Sequence, residues 1–151
     1  MALNFAEAAK KKIAEVERPP LAPMGTYRWA ITKLPEVSQS RDEKWDIVNF
    51  SCRVVEPIDA EMDDFKGDPK NITNQLRFMF NKEDEAEFDK SMFRLRSFLE
   101  NHVGCANDKD TMQQALNNSV NGQFYGYVSW TQDKTDPEIF YANISKTSAC
   151  E

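Results

Sequence analysis

From Gly25 to Ile31 large apolar side chains alternate with polar or small ones: Tyr27, Trp29 and Ile31 fall on one side, and Arg28, Ala30 and Thr32 on the other. A period of two predicts a half-buried strand. The alternation returns from Trp45 to Val55, where Val48, Phe50, Cys52 and Val54 take the core side while Trp45, Ile47, Asn49, Ser51 and Arg53 point outward. Ile72 to Phe80 predicts a third strand, with Leu76, Phe78 and Phe80 inward and Arg77 outward. Slipping any of these by one residue would exchange its two faces, so the apolar set pins the register.

Between Asn81 and Gly104 the period changes. Phe88, Met92, Leu95 and Leu99, joined by Phe98, recur at helical spacing and make one apolar stripe, which reads as a plug packed on the core. Asn81 is placed to cap this helix. Glu83, Asp84, Glu85 and Glu87 put negative charge at its positive end, and Gly104 supplies a left-handed stop. Asp110 or Thr111 can cap a second helix through Met112, Ala115, Leu116 and Val120, ended by Gly122.

Phe124 to Trp130 and Ile139 to Ser145 then predict a hairpin across the turn Asp133 to Pro137. Phe124, Gly126 and Val128 share one face, and Tyr125, Tyr127 and Ser129 the other; Gly126 would let the strand bend. At the other end of the chain, residues 2–17 read as a short amphipathic helix, with Phe5, Ala9, Ile13 and Val16 on one side, before Arg18, Pro19 and Pro20.

The order three strands, helix, two strands predicts a mainly β chain with helices, of the α+β class. The expected architecture is a five-stranded oligonucleotide-binding (OB) barrel with a helix between strands 3 and 4 and an appended N-terminal helix. Residues 1–20 form the helix and linker, and 21–151 the domain. Pro35 to Glu43 is expected to be a polar connection. Glu56 to Asp68, with six carboxylates around Pro57 and Gly67, is expected to be an acidic loop. Calcium binding fails there on spacing: Asp64 stands where an EF-hand needs glycine, and Lys70 where it needs the bidentate glutamate.

The length fits one domain, and 40% apolar residues can bury a core. A formal charge of −6 opposes general attraction to nucleic acid, although net charge says little about one face of a fold. Cys52, Cys105 and Cys150 are odd in number and unpaired in spacing, which favours a reducing, cytoplasmic setting. No apolar run is long enough to span a membrane, and the triplets at Asn71, Asn117 and Asn143 carry no weight without secretion.

Catalytic patterns are missing from the sequence. His102 is the single histidine, no GxSxG accompanies it, and with Cys105 it offers only half a structural zinc site. There is no phosphate-binding GxxxxGK[ST] loop and no GxGxxG, so the expectation is a binding protein, not an enzyme, without cofactor or metal.

The strand after the proline-containing leader, Pro23 to Ile31, the strand Trp45 to Val55, the helical middle, the closing Gly122-Gln-Phe-Tyr-Gly-Tyr-Val and Tyr141-Ala-Asn-Ile144 together resemble the small single-stranded-DNA-binding proteins of tailed phages. That resemblance, over Pro20 to Ser145, implies an OB barrel that coats single strands during replication or recombination in the host cytoplasm, alongside other replication proteins. The end at Cys150-Glu151 lacks the long acidic tail with which some such proteins recruit partners.

Single strands need outward aromatics for stacking and cations along a groove. Trp45, Tyr125 and Tyr127 supply the first; Arg28, Lys33, Lys44, Arg53 and Arg77 supply the second, with the surplus acid expected on the opposite side. Three other readings stay open. The aromatics could pack under the N-terminal helix or a second subunit in a homodimer, the acidic face could dock on a host or viral protein, or dispersed carboxylates could build an enzyme site.

Overall fold

The computed structural model describes residues 4–10 and 21–150. Its strands are β1 (Gly25–Ile31), β2 (Glu36–Gln39), β3 (Trp45–Ala60), β4 (Thr73–Asn81), β5 (Gln123–Gln132) and β6 (Phe140–Ser148). The helices are α1 (Phe5–Ala8), α2 (Glu85–Ser97) and α3 (Met112–Asn118), with a π-helical turn over Phe98–Val103. The class is mainly antiparallel sheet with a few helices.

All the strands join one antiparallel sheet in the order β2-β3-β1-β5-β6, with β4 on the other edge of β3. Among the described residues there are thus six strands rather than the expected five, because residues 36–39 inside the supposed polar connection pair with Asp46–Asn49. Backbone pairing overrides their poor strand character, and all four residues of β2 stay exposed. The expected barrel closure is not seen: no ladder joins β4 to β6 among the described residues, and the two edges meet where Asn74 Nδ2 donates to Ala142 O at 3.0 Å. The added strand also puts α2 between the fourth and fifth strands.

The registers are those the alternation requires. Tyr27, Trp29, Ile31, Phe50, Phe124 and Val128 are fully buried, as are Cys52 and Val54 almost completely. Phe98, in the π-helical turn, sets its ring 5.0 Å from that of Phe124 and 5.3 Å from those of Phe50 and Phe78, so the end of α2 sits on the aromatic core. Helix and turn together pack on β4, β5 and β6 across the open side of the sheet.

Local details correct several expectations. Asp84, not Asn81, caps α2, accepting from Glu87 N at 3.2 Å; Asn81 ends β4 and holds the turn before the helix by accepting from Glu83 N. Gly104 does stop the helix, at φ 74°. Thr111 caps α3 in a reciprocal box with Gln114, but Asn121, at φ 68°, and not Gly122 takes the left-handed position after it. Gly122 is needed for closeness instead: a Cβ there would lie 2.3 Å from Val103 Cγ1.

The acidic stretch is half strand. β3 runs on through Glu56 to Ala60 because β1 pairs with it as far as Gly25↔Ala60, with register shifts on either side of the Tyr27–Arg28 step. At the N-terminus only α1 is described, capped by Asn4, and Phe5 is 86% exposed, so it makes no core contact. The rest of the expected helix, including Ile13 and Val16, and the Arg18 to Pro20 linker lie outside the described residues.

Candidate nucleic-acid interface

The outward face of the sheet follows from the inward one. Because Tyr27 and Trp29 are buried, β1 must turn Thr26 and Arg28 outward, and β5 must do the same with Tyr125 and Tyr127 opposite them. Arg28 and Tyr125 are direct cross-strand partners, as are Thr26 and Tyr127.

Arg28 donates from Nη2 to the Tyr125 hydroxyl at 3.3 Å, and its guanidinium carbon lies 5.6 Å from the centre of that ring. Its Nε is 3.4 Å from Glu56 Oε1, an ion pair without hydrogen-bond geometry, so this buried N–H has no hydrogen-bond partner. The Tyr125 hydroxyl, helped by Glu56, holds the guanidinium above its ordinary titration range. A second cation faces the neighbouring ring. Lys146 Nζ stands 5.4 Å from the centre of Tyr127, placed there by a register shift between β5 and β6 that leaves Lys146 at φ 49°.

Arg53 extends this patch by one cross-strand step, as the partner of Ala30, and is exposed without a carboxylate in ion-pairing range among the described residues. Trp45 and Arg77 share the same outer face but stand farther along β3 and β4, beside α2. Lys44 is exposed in the turn between β2 and β3. Lys33 lies before β2, 2.9 Å from Glu36 Oε1. The expected site residues thus divide into a central patch of Arg28, Arg53, Tyr125 and Tyr127, a flank of Trp45 and Arg77, and two loop lysines.

The expected separation of acid from base does not hold. Glu56 and Asp59 stand opposite Arg28 and Thr26 in β3, on the outward face, since the acidic segment is sheet where a loop was expected. Around them, Asp59, Glu61 and Asp64 line a cleft with Lys66, Phe65, Tyr127 and Trp130. Trp130 is 41% exposed, donates from Nε1 to Ala22 O at 2.8 Å, and lies against Phe140 with ring centres 6.2 Å apart.

His102 and Cys105 do not face a common point. The imidazole Nδ1 is 2.7 Å from Thr147 Oγ1, while the Cys105 thiol lies near the Leu99 and Ala115 carbonyls. Among the described residues no three His, Cys, Asp or Glu side chains gather where they could hold a metal ion, and no helix is long and apolar enough to cross a membrane.

Sequence reasoning missed Lys146, Trp130 and Arg94, the last of which lines a groove with Trp45 and Arg77. Arg94 was legible, because Glu87, Ser91 and Arg94 recur at helical spacing beside the apolar stripe; the bulge that aims Lys146 has no such signature. Neither a family model nor a curated protein matches this chain.

Proposed function

We propose that this chain is a non-enzymatic, sequence-tolerant binder of single-stranded DNA, acting in phage replication or recombination in the host cytoplasm. The observation that carries the proposal is the pairing of two exposed-face tyrosines with two cations, Arg28 on Tyr125 and Lys146 on Tyr127, with Arg53 alongside. Both rings are half-exposed, so a base can stack against them, and the cation beside each ring can neutralise the adjoining phosphate. Stacking on π-faces ignores base identity, which gives tolerance of sequence.

The strand order supports an OB-type reading. With β2 set aside as an excursion of the first connection, β1 lies between β3 and β5, β4 flanks β3 and β6 flanks β5. Asn74 and the helical segment bridge the remaining gap, as a plug would.

Glu56 sets the terms of binding. A phosphate arriving at Arg28 competes with a carboxylate already 3.4 Å away, so the exchange lowers affinity and makes the salt dependence shallower than a free arginine would give. Fluorescence anisotropy with labelled oligo-dT across a salt series tests the proposal. Binding at low salt that weakens as salt rises is expected; no binding at low salt would remove it.

A second reading is favoured by one observation. Asp59, Glu61 and Asp64 rim the cleft that holds Tyr127 and Trp130, an arrangement that suits a basic protein segment carrying an apolar anchor. Salt-sensitive binding to a basic peptide, with indifference to oligo-dT, would decide for it.

A further inference from the structure

Glu87, Ser91 and Arg94 share one side of α2, next to the stripe of Phe88, Met92 and Leu95 that packs on the core. This polar side borders a groove that Arg77, Met79 and Asn81 of β4 and Trp45 of β3 complete. Ser91 is buried and small, which keeps the helix side of the groove low.

The charges in the groove are unevenly satisfied. Glu87 is engaged by Lys90 at 3.3 Å. Arg77 has a side-chain partner only in Gln75 Oε1, at 3.0 Å, and neither Arg77 nor Arg94 has a carboxylate in ion-pairing range among the described residues. In a chain with 25 acidic and 19 basic residues, two guanidinium groups left without carboxylates beside an indole form a local site for an anion attached to a flat ring.

The groove also continues the central patch. Along the outward face of β3, Arg53, Ser51, Asn49, Ile47 and Trp45 follow one another, with Gln75 and Arg77 beside them on β4. Arg53 stands eight positions beyond Trp45 in one strand, on the order of 26 Å at the usual rise.

We infer that this groove is a second contact for the same single strand, taking one nucleotide with its base against the Trp45 indole and its phosphates between Arg77 and Arg94. The inference rests on the single-strand reading above. An acidic peptide would satisfy the guanidinium groups equally well, but a nucleotide brings phosphate and a stacking ring together, and the shared outward surface leads from one contact to the other.

The test uses the full chain with Trp130→Phe. Trp29 is fully buried, so Trp45 remains as the partly exposed indole. Oligo-dT long enough to cross the whole face is expected to quench Trp45. R77Q/R94Q should weaken binding of that oligonucleotide about tenfold or more and flatten the salt slope by about 1.4, at about 0.7 per lost phosphate contact. Both arginines are exposed, and a thermal melt of R77Q/R94Q checks that the fold is kept. An oligonucleotide too short to leave the central patch should bind R77Q/R94Q as it binds the parent.

Unchanged Trp45 emission while anisotropy reports saturation would overturn the inference and leave the function standing, as would an unaltered salt slope in R77Q/R94Q. Equal quenching by polyglutamate would replace the nucleotide with an acidic peptide. Failure of the parent protein to bind oligo-dT at low salt would remove the function itself, a result distinguishable from the others.

Discussion

Arg28 and Tyr125 face each other across β1 and β5, joined by a 3.3 Å contact between Nη2 and the phenol oxygen and by the guanidinium standing over the ring. Their registers are dictated from the other side of the sheet, where Trp29 and Phe124, the next residue pair, are buried completely. The core therefore positions the outward pair, and the tyrosine ring is held by a partner that also carries the charge a nucleic acid needs.

If bases stack on this face, Tyr125→Ala and Tyr127→Ala should each weaken oligo-dT binding by about 1–3 kcal/mol while leaving the far-ultraviolet circular dichroism unchanged. Titration by fluorescence anisotropy measures it. Equal affinity in both variants would show that the rings serve packing alone.

Glu56 competes for Arg28, and Glu56→Gln removes the competitor without shortening the side chain. Affinity for oligo-dT should rise and its dependence on salt should steepen by about 0.7, the increment for one further phosphate contact on a single strand. A fall in affinity would mean that Glu56 is needed to hold Arg28 in place.

Gly126 tests the sheet beneath. A Cβ there would lie 2.7 Å from Ile144 Cγ2 and 3.1 Å from Trp29 Cδ1, while Trp29 Nε1 donates to the Gly126 carbonyl at 3.3 Å. Gly126→Ala should destabilise the fold by about 1–3 kcal/mol, as overpacking does, read from urea unfolding. An unchanged midpoint would mean that the indole can move aside.

His102 gives the fold a pH dependence with a definite sign. Burial lowers its titration point from the ordinary 6.5, so the folded protein resists a proton that the unfolded chain accepts. This contribution is complete above about 6.5 and is lost as pH falls from there toward the lower folded value. His102→Gln should flatten the change of thermal midpoint with pH over that interval, and an identical profile in both proteins would contradict it.

Much of this architecture is legible in the sequence. Tyr27, Trp29, Phe50 and Phe124 announce their burial by alternation, and Gly104 its left-handed stop, because these signals are local. β2 was not legible: Glu36–Gln39 has no apolar face, and only pairing with Asp46–Asn49 makes it a strand. The same holds for Glu56, which reads as loop by composition and is carried into the sheet by its pairing with Arg28. Charge placement across a sheet depends on register and bulges, so the segregation of acid from base could not be inferred from position along the chain.

The most direct measurement of the central proposal is a ¹⁵N–¹H correlation spectrum of the full chain titrated with oligo-dT at low salt. Single-strand binding on the outward face requires shifts concentrated in the amides of Arg28, Arg53, Tyr125, Tyr127 and Lys146. A spectrum that does not move, or that moves only around Asp59, Glu61 and Asp64, would contradict it.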